Sequence, residues 1–247
     1  MPKILSIIIP CYNCENTLRE TIDSCYVQGF HDNEFELILV NDGSTDNTQK
    51  VMESAAKQRE NITLISHAVN RGGGAARNTG INASSGEILY CLDSDNVFAP
   101  HSIHAIVHFI QQHDLDGAAF SERRFFHDSL TNYKARTISK TTEIQLQDLF
   151  IEAEPFLDNF FFTKQAYDAT DGYPEHHGFD TQAFEFRFLL AGNKIKVCPQ
   201  SVFYHRQGLS EPSYFERVYI QKYFLCFYAS KNTTETKNIH ACYHTVQ

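Results

Sequence analysis

A chain of 247 residues, 42% hydrophobic and 21% charged, is long enough to bury a substantial core in one large or two small domains, and this composition excludes a disordered protein. The net charge of −9 argues against a sequence-independent grip on nucleic acid, which depends on clustered Lys and Arg. No run approaches the ~20 apolar residues of a membrane span, and the apolar stretch after Met1 is too short for a secretory signal, so a cytoplasmic setting is expected.

Strand and helix signals alternate from the start. Ile4 to Ile9 is nearly all β-branched and predicts a first strand, stopped by Pro10. After a turn at Cys11-Tyr12-Asn13, Leu18, Ile22 and Cys25 recur at helical spacing. Phe35 to Val40 predicts a second strand running into Asn41-Asp42-Gly43-Ser44-Thr45-Asp46, and Val51, Met52, Ala55 and Ala56 mark the helix that follows. Ile62 to Ser66 predicts a third strand. Ile88 to Leu92 predicts a fourth, an unbroken apolar run of the kind buried on both faces. This alternation implies right-handed βαβ units, and hence an α/β architecture with a Rossmann-like, mostly parallel sheet flanked by helices.

In such a sheet ligands sit beyond the carboxyl ends of the strands. Tyr12 and Asn13, Asp42, and Asp93-Ser94-Asp95 all fall there, so one rim gathers an aromatic ring, an amide and three carboxylates. Two acids separated by one residue suit a hard divalent cation that takes its other ligands from water and substrate phosphates. An Asp-rich turn without a ligand would explain the last run alone. Three successive polar strand ends weigh against it.

Between the third and fourth strands, Gly72-Gly73-Gly74 lets the backbone approach a ligand ahead of a helix N-terminus, with Arg71 and Arg77 placed to meet a phosphate or stack on a base. The segment lacks Gly-Lys-Ser/Thr and does not follow the first strand, so it is neither a P-loop nor a dinucleotide fingerprint. Cys11-Tyr12-Asn13-Cys14 spells CxxC without a second pair at ligand spacing, and packing is expected for it, as for Cys25, Cys91 and Cys198. His101, His104 and His108 share one face of a helix opened by Pro100 and read as its solvated flank.

Gly117 to Ser121 predicts a further strand, and from Glu122 to Lys140 the pattern fades. Phe160 to Phe162 predicts a strand and Asp171-Gly172-Tyr173-Pro174 a turn. A helix follows with Phe184, Phe188 and Leu189, capped by Asp180 or Thr181 and closed by Gly192. Two strands are expected next, Lys194 to Pro199 and Val202 to Arg206, then an aromatic helix from Ser213 to Ala229 and a loosely held polar end.

Four segments, Ser6-Ile7-Ile8-Ile9-Pro10-Cys11-Tyr12-Asn13, Val40-Asn41-Asp42-Gly43-Ser44-Thr45-Asp46, Asn70-Arg71-Gly72-Gly73-Gly74-Ala75-Ala76-Arg77-Asn78 and Leu92-Asp93-Ser94-Asp95, give the chain a specific resemblance. In order and spacing it resembles the family 2 glycosyltransferases of the GT-A fold, inverting enzymes that use a sugar nucleotide and usually a divalent metal. The resemblance implies a nucleotide-sugar-binding half at residues 1–96, an acceptor-binding and catalytic half at 97–206 and a C-terminal helical tail at 207–247. It implies that Pro10, Tyr12, Asn13 and Asp42 line the nucleoside pocket and that Arg71, Gly74, Arg77 and Ser94 help hold the nucleotide sugar. Asp93 would face the ribose or donor sugar, and Asp95 would bind the Mn²⁺ or Mg²⁺ that bridges the diphosphate, with His205 as a late metal ligand.

Family members commonly carry Glu-Asp at the start of a helix ending Leu-Arg-Leu-x-x-x-Gly. Aligning Arg187-Phe188-Leu189-Leu190-Ala191-Gly192 on that ending puts Asp180-Thr181 in its place, which makes Asp180 the expected general base and Glu185 the reserve. The implied activity is metal-dependent transfer of a hexosyl or N-acetylhexosaminyl group, from a UDP-sugar foremost, to a glycan or lipid-linked acceptor in polysaccharide biosynthesis. Thr181 in place of an acid leaves open a donor-binding module that has lost catalysis. A sugar nucleotidyltransferase would want basic residues after strand one, where Cys11 to Cys14 offers none. For the aromatic tail, core packing, a cover over the acceptor cleft, a dimer contact and peripheral contact with the inner face of a membrane all stay open.

Overall fold

The computed structural model describes residues 3–138, 143–146, 148–151, 159–175 and 180–207. In chain order the first half holds β1 (Leu5–Cys11), α1 (Leu18–Ser24), β2 (Phe35–Asn41), α2 (Thr48–Ala56), β3 (Ile62–Ser66), α3 (Gly73–Asn82) and β4 (Ile88–Cys91). There follow β5 (Val97–Phe98), α4 (Ser102–His113), β6 (Gly117–Phe126), β7 (Tyr133–Thr137), β8 (Glu143–Ile144) and α5 (Asp148–Ile151). The last are β9 (Phe161–Thr163), α6 (Lys164–Asp168), α7 (Asp180–Leu190) and β10 (Ile195–Arg206). The aromatic helix expected from Ser213 to Ala229, the polar end and His176 to Phe179 lie outside the described residues. Among the described residues no helix is long and apolar enough to cross a membrane.

The strands form one sheet in the order β3-β2-β1-β4-β9-β6-β10-β5, with β7 beside β6 and β8 beside β10. The first four pair in parallel, as the βαβ pattern requires. Between β4 and β6 the short β9 is inserted antiparallel to both, and β6 and β10 then run parallel again. Residues 1–96 and 97–206 therefore contribute strands to a single continuous sheet.

Alternate residues of the central strands feed opposite layers. Ile7, Ile9, Leu37, Leu39 and Tyr90 pack on one side with residues of α1, α2 and α4; Ile8, Ile38, Val40, Leu89 and Cys91 pack on the other with α3, α6 and α7. α3 approaches the sheet closely because Gly80 faces Ile8, where a Cβ would lie 2.4 Å from Ile8 Cγ2.

Several boundaries differ from those expected. β1 does not stop at Pro10 but continues to Cys11. Pro10 faces the β4 side, where pairing has already ended at Ile8↔Cys91, so the N–H that it lacks is missed by no partner. The patternless stretch after Glu122 is the rest of β6 and its antiparallel partner β7, whose residues are mostly exposed and so carry little apolar alternation. The two strands expected after Gly192 are one, β10, interrupted by an irregularity between Cys198 and Val202 where Gln200 has φ 59°. Ser121 and Ser201 stitch it: the Ser121 N–H donates to Ser201 Oγ at 3.0 Å and the Ser201 N–H to Ser121 Oγ at 3.1 Å.

α7 docks through aromatic rings. Phe184 is fully buried, stacked at 4.1 Å centroid distance on Tyr173 and at 5.7 Å on Phe160, and Phe188 meets Phe160 edge-on at 5.0 Å. Truncating such a ring removes its burial and leaves a cavity, so Phe184→Ala is expected to cost about 3–5 kcal/mol, read as a lower urea midpoint at unchanged m-value.

Candidate active site

Beyond the ends of β1, β2 and β4 lies an open cleft of about 680 Å³. Its wall takes Pro10 to Cys14 from the end of β1, Asp42 after β2, Gly73, Ala76 and Arg77 from α3, Asp93 to Asn96 after β4, and His205 to Gln207 from β10. The rim inferred from the strand ends is thus a single physical surface.

Each loop is tied down by its own polar groups. Asn13, at φ 48°, accepts the Thr45 N–H through Oδ1 at 2.8 Å, and its own N–H donates to Ser44 Oγ at 3.1 Å, joining the tips of β1 and β2. Asp42 is almost fully enclosed: it accepts from the N–H groups of Arg71 and Gly72 at 2.9 and 2.8 Å and lies 2.6 Å from His67 Nδ1. Its charge therefore anchors the glycine-rich segment. Gly43, at φ 72°, allows the close approach, since a Cβ there would sit 2.5 Å from the Asn70 nitrogen. Tyr12, 50% exposed, stands at the open side of the cleft.

The Asp93-Ser94-Asp95 turn is clamped from both sides. Thr17 and Thr21 of α1 donate to the Ser94 carbonyl at 2.9 and 3.0 Å, while Arg206 Nε donates to the Asp95 carbonyl at 3.0 Å. Asp93 receives Arg77 Nη2 at 2.5 Å on one oxygen, and Asn159 at 3.2 Å and Asn96 at 3.3 Å on the other. Asp95 is different: Arg206 meets its backbone carbonyl, and the residue lines the cleft together with His205. Burial, and after it the charge of Asp93, raise the pKa of Asp95, against the opposing pull of His205 and Arg206.

A carboxylate whose charge is disfavoured in this way is suited to a cation. One carboxylate and one imidazole make an incomplete shell, and among the described residues no group of three or more His, Cys, Asp or Glu side chains is set to hold a metal. This donor set fits Mg²⁺ or Mn²⁺, which readily complete their shells with water and phosphate oxygens.

Arg77 is the other centre of charge. Its Nη1 donates to Asp180 Oδ2, at the start of α7, and its Nη2 to Asp93. Burial works against the cation, but the carboxylates of Asp180 and then Asp93 raise its pKa above the ordinary guanidinium value. Cys14, also in the wall, has its thiol lowered to about 7, chiefly by a hydrogen bond with Cys11, whereas burial pushes Cys11 up. Both thiols are buried, in keeping with the packing expected of them.

Pro10, Tyr12, Asn13, Asp42, Arg77, Asp93, Ser94, Asp95 and His205 are brought together in this wall. Arg71 lies outside it, half exposed and paired with Glu175 at 3.2 Å. Gly74 faces away from the cleft: a Cβ there would be 2.0 Å from the Pro174 carbonyl oxygen. Asp180 borders the cleft through Arg77, and Glu185 is fully buried in the layer beneath. Thr17, Thr21, Asn159 and Arg206 were not singled out from the sequence, since single polar residues on a helix or strand end carry no motif. The histidines of α4 at 101, 104 and 108 are exposed.

Among curated proteins, the chain is similar to a poly(ribitol-phosphate) β-glucosyltransferase of Bacillus spizizenii, 34% identical over 113 residues that make up 45% of this chain. The chain spans only 18% of that relative's length. Among solved structures it is similar in fold to S. aureus TarS 1-349 in complex with UDP-GlcNAc, at TM-score 0.73 and 22% identity, over 94% of this chain and 67% of the other. It is similar also to the Pyrobaculum calidifontis mannosyltransferase PcManGT in complex with GDP-Man and Mn²⁺, at TM-score 0.69 and 16% identity, over 95% and 67%. These likenesses show the GT-A architecture. The model of the family described as Glycosyl transferase family 2 matches residues 6–190. With more than half of its length under that model, the chain belongs to glycosyl transferase family 2.

Proposed function

We propose that the chain is a metal-dependent inverting glycosyltransferase, moving a hexosyl or N-acetylhexosaminyl group from a nucleoside diphosphate sugar, UDP foremost, to a hydroxyl of a glycan or lipid-linked acceptor. The observation that carries the reading is that Asp95 lines the cleft with His205, while nearby Asp93 is held by Arg77, Asn96 and Asn159. The S. aureus neighbour solved with UDP-GlcNAc and the Pyrobaculum neighbour solved with GDP-Man and Mn²⁺ support it. The Bacillus relative supports a polymer or polymer precursor as acceptor.

In this reading residues 1–96 bind the donor and 97–206 receive the acceptor. Pro10 and Tyr12 flank the nucleoside, Tyr12 offering an exposed ring for the base to stack on. Asn13 and Asp42 shape that pocket by holding its loops, and Asp93 and Ser94 floor the sugar-diphosphate end. Asp95 and His205 would hold the divalent ion, which when bound supplies charge stabilisation to the departing diphosphate. Asp180 takes the proton from the attacking hydroxyl, on the face opposite the leaving group, so the anomeric centre inverts. Glu185, enclosed in the core, is the weaker candidate. A cytoplasmic location, at the inner membrane face where the acceptor is lipid-linked, belongs to the same proposal.

A panel of nucleotide sugars with and without Mn²⁺ tests the donor: the right one raises the melting temperature, since it binds only the folded state, and an acceptor panel must then yield product. Donor binding without product on any acceptor would instead favour a binding module. Asp180→Asn is expected to lower kcat by about 10²–10⁴-fold, the usual worth of a general base, with calorimetric donor affinity unchanged. Asp95→Ala should abolish the Mn²⁺-dependent part of donor affinity. Because the pKa of Asp95 is raised, protons compete with the cation at higher pH than at an ordinary carboxylate of about 3.9. Mn²⁺-dependent donor affinity should therefore fall as pH drops through that raised value, and calorimetry across mildly acidic pH should show no such fall in Asp95→Asn.

A further inference from the structure

Arg77 carries one positive charge, and its two terminal nitrogens are committed to two different carboxylates. A cation so outnumbered offers little attraction to a diphosphate, which would have to displace an aspartate to reach it. The fork geometry suits another task. A planar guanidinium holding one acid on each Nη fixes the spacing and orientation of the two acids relative to each other.

The two acids belong to different parts of the chain. Asp93 ends the β4 segment and is immobilised by Asn96 and Asn159. Asp180 begins α7, and its carboxylate accepts from Arg77 Nη1. The glycine-rich segment is shaped around this contact: a Cβ on Gly73 would lie 2.7 Å from Arg77 Nη1 and 3.1 Å from Asp180 Oδ2, and one on Gly74 3.2 Å from Asp180 Cβ. The neighbouring residue on α3, Asn78, secures the approach to α7. It donates to the Tyr173 carbonyl at 2.8 Å and accepts the Tyr173 N–H at 2.9 Å, holding the Tyr173 ring 5.6 Å from the guanidinium.

We propose that Arg77 is a positioning residue, through which the rigid Asp93 anchor sets the orientation of the Asp180 carboxylate that accepts the proton from the acceptor. The proposal rests on the role given to Asp180 above. Arg77 transfers no proton and touches no donor atom; it fixes where the base points.

The test compares Arg77→Ala, Arg77→Lys, Asp180→Asn and the Arg77→Ala/Asp180→Asn double variant, reading kcat, calorimetric donor affinity and melting temperature. A base misplaced by about 1 Å loses on the order of 10² in rate, so Arg77→Ala should lose about that much in kcat while donor affinity stays within about twofold. Arg77→Lys keeps a cation in the pocket and so serves as the folded variant, but a point charge cannot orient two acids, and kcat should stay low. The double variant should be no slower than Asp180→Asn alone, because Arg77 acts only through that group. Losses that multiply, a donor affinity that falls in step with kcat, or wild-type kcat in Arg77→Lys would each overturn the coupling. An unmodified protein that transfers no sugar, or a fully active Asp180→Asn, would instead remove the role of Asp180 on which it rests.

Discussion

A guanidinium taken out of water is costly unless its charge and its donors are met, and removing one partner from such a group leaves an uncompensated buried charge. Arg77, 6% exposed, is met by Asp93 on one side and Asp180 on the other. This junction ties the start of α3 to α7 and to the turn after β4. It requires the small residues at the start of α3, because any side chain at position 73 would crowd it. It requires the Tyr173 segment, which the neighbouring Asn78 pins. It also separates the fates of the two acids after β4: Asp93 becomes part of the framework, and Asp95, two residues further on, is left to the cleft. The cleft is lined by three carboxylates, Asp42, Asp93 and Asp95, against two guanidinium groups, Arg77 and Arg206, a balance that favours a cation over a bare anion.

Most of the first half was legible in the sequence, for a physical reason. Strands buried on both faces must be apolar throughout, and turns at their ends must be polar, so Ile7, Ile38 and Leu89 announce the sheet as clearly as Asp42 and Asp93 announce its rim. β3 coincides with the run from Ile62 to Ser66. The second half was less legible because its signals are weak or cancel. β7 is exposed, β5 and β8 are two residues each, and β9 reads as a plain apolar run whose direction no local pattern reveals.

For the site, sequence reasoning found the residue types at the strand ends but not the partners each would choose. Asp42 looked like a ligand-binding acid and is enclosed by His67 and two backbone amides. Gly74 looked like a place for a ligand to approach and is a place for the Pro174 carbonyl. Arg77 looked like a phosphate or base contact. In these three cases the partners lie 16 to 103 positions away in the chain, and periodicity or local motif cannot see that far.

The irregularity in β10 carries a last consequence. Four residue steps on β10, from Cys198 to Val202, span two on β6, from Phe120 to Glu122, so the detour adds an even number of residues. Side chains alternate along a regular strand, which would put Cys198 and Phe203, five positions apart, on opposite faces, but both pack in the same apolar layer, so the alternation is reversed within the irregularity. His205 keeps the face of Phe203 and Tyr204 takes the other; without the reversal a phenol would emerge beside Asp95 and the imidazole would lie behind the sheet. The side of the molecule on which that histidine emerges is thus decided in a kink that never touches the cleft.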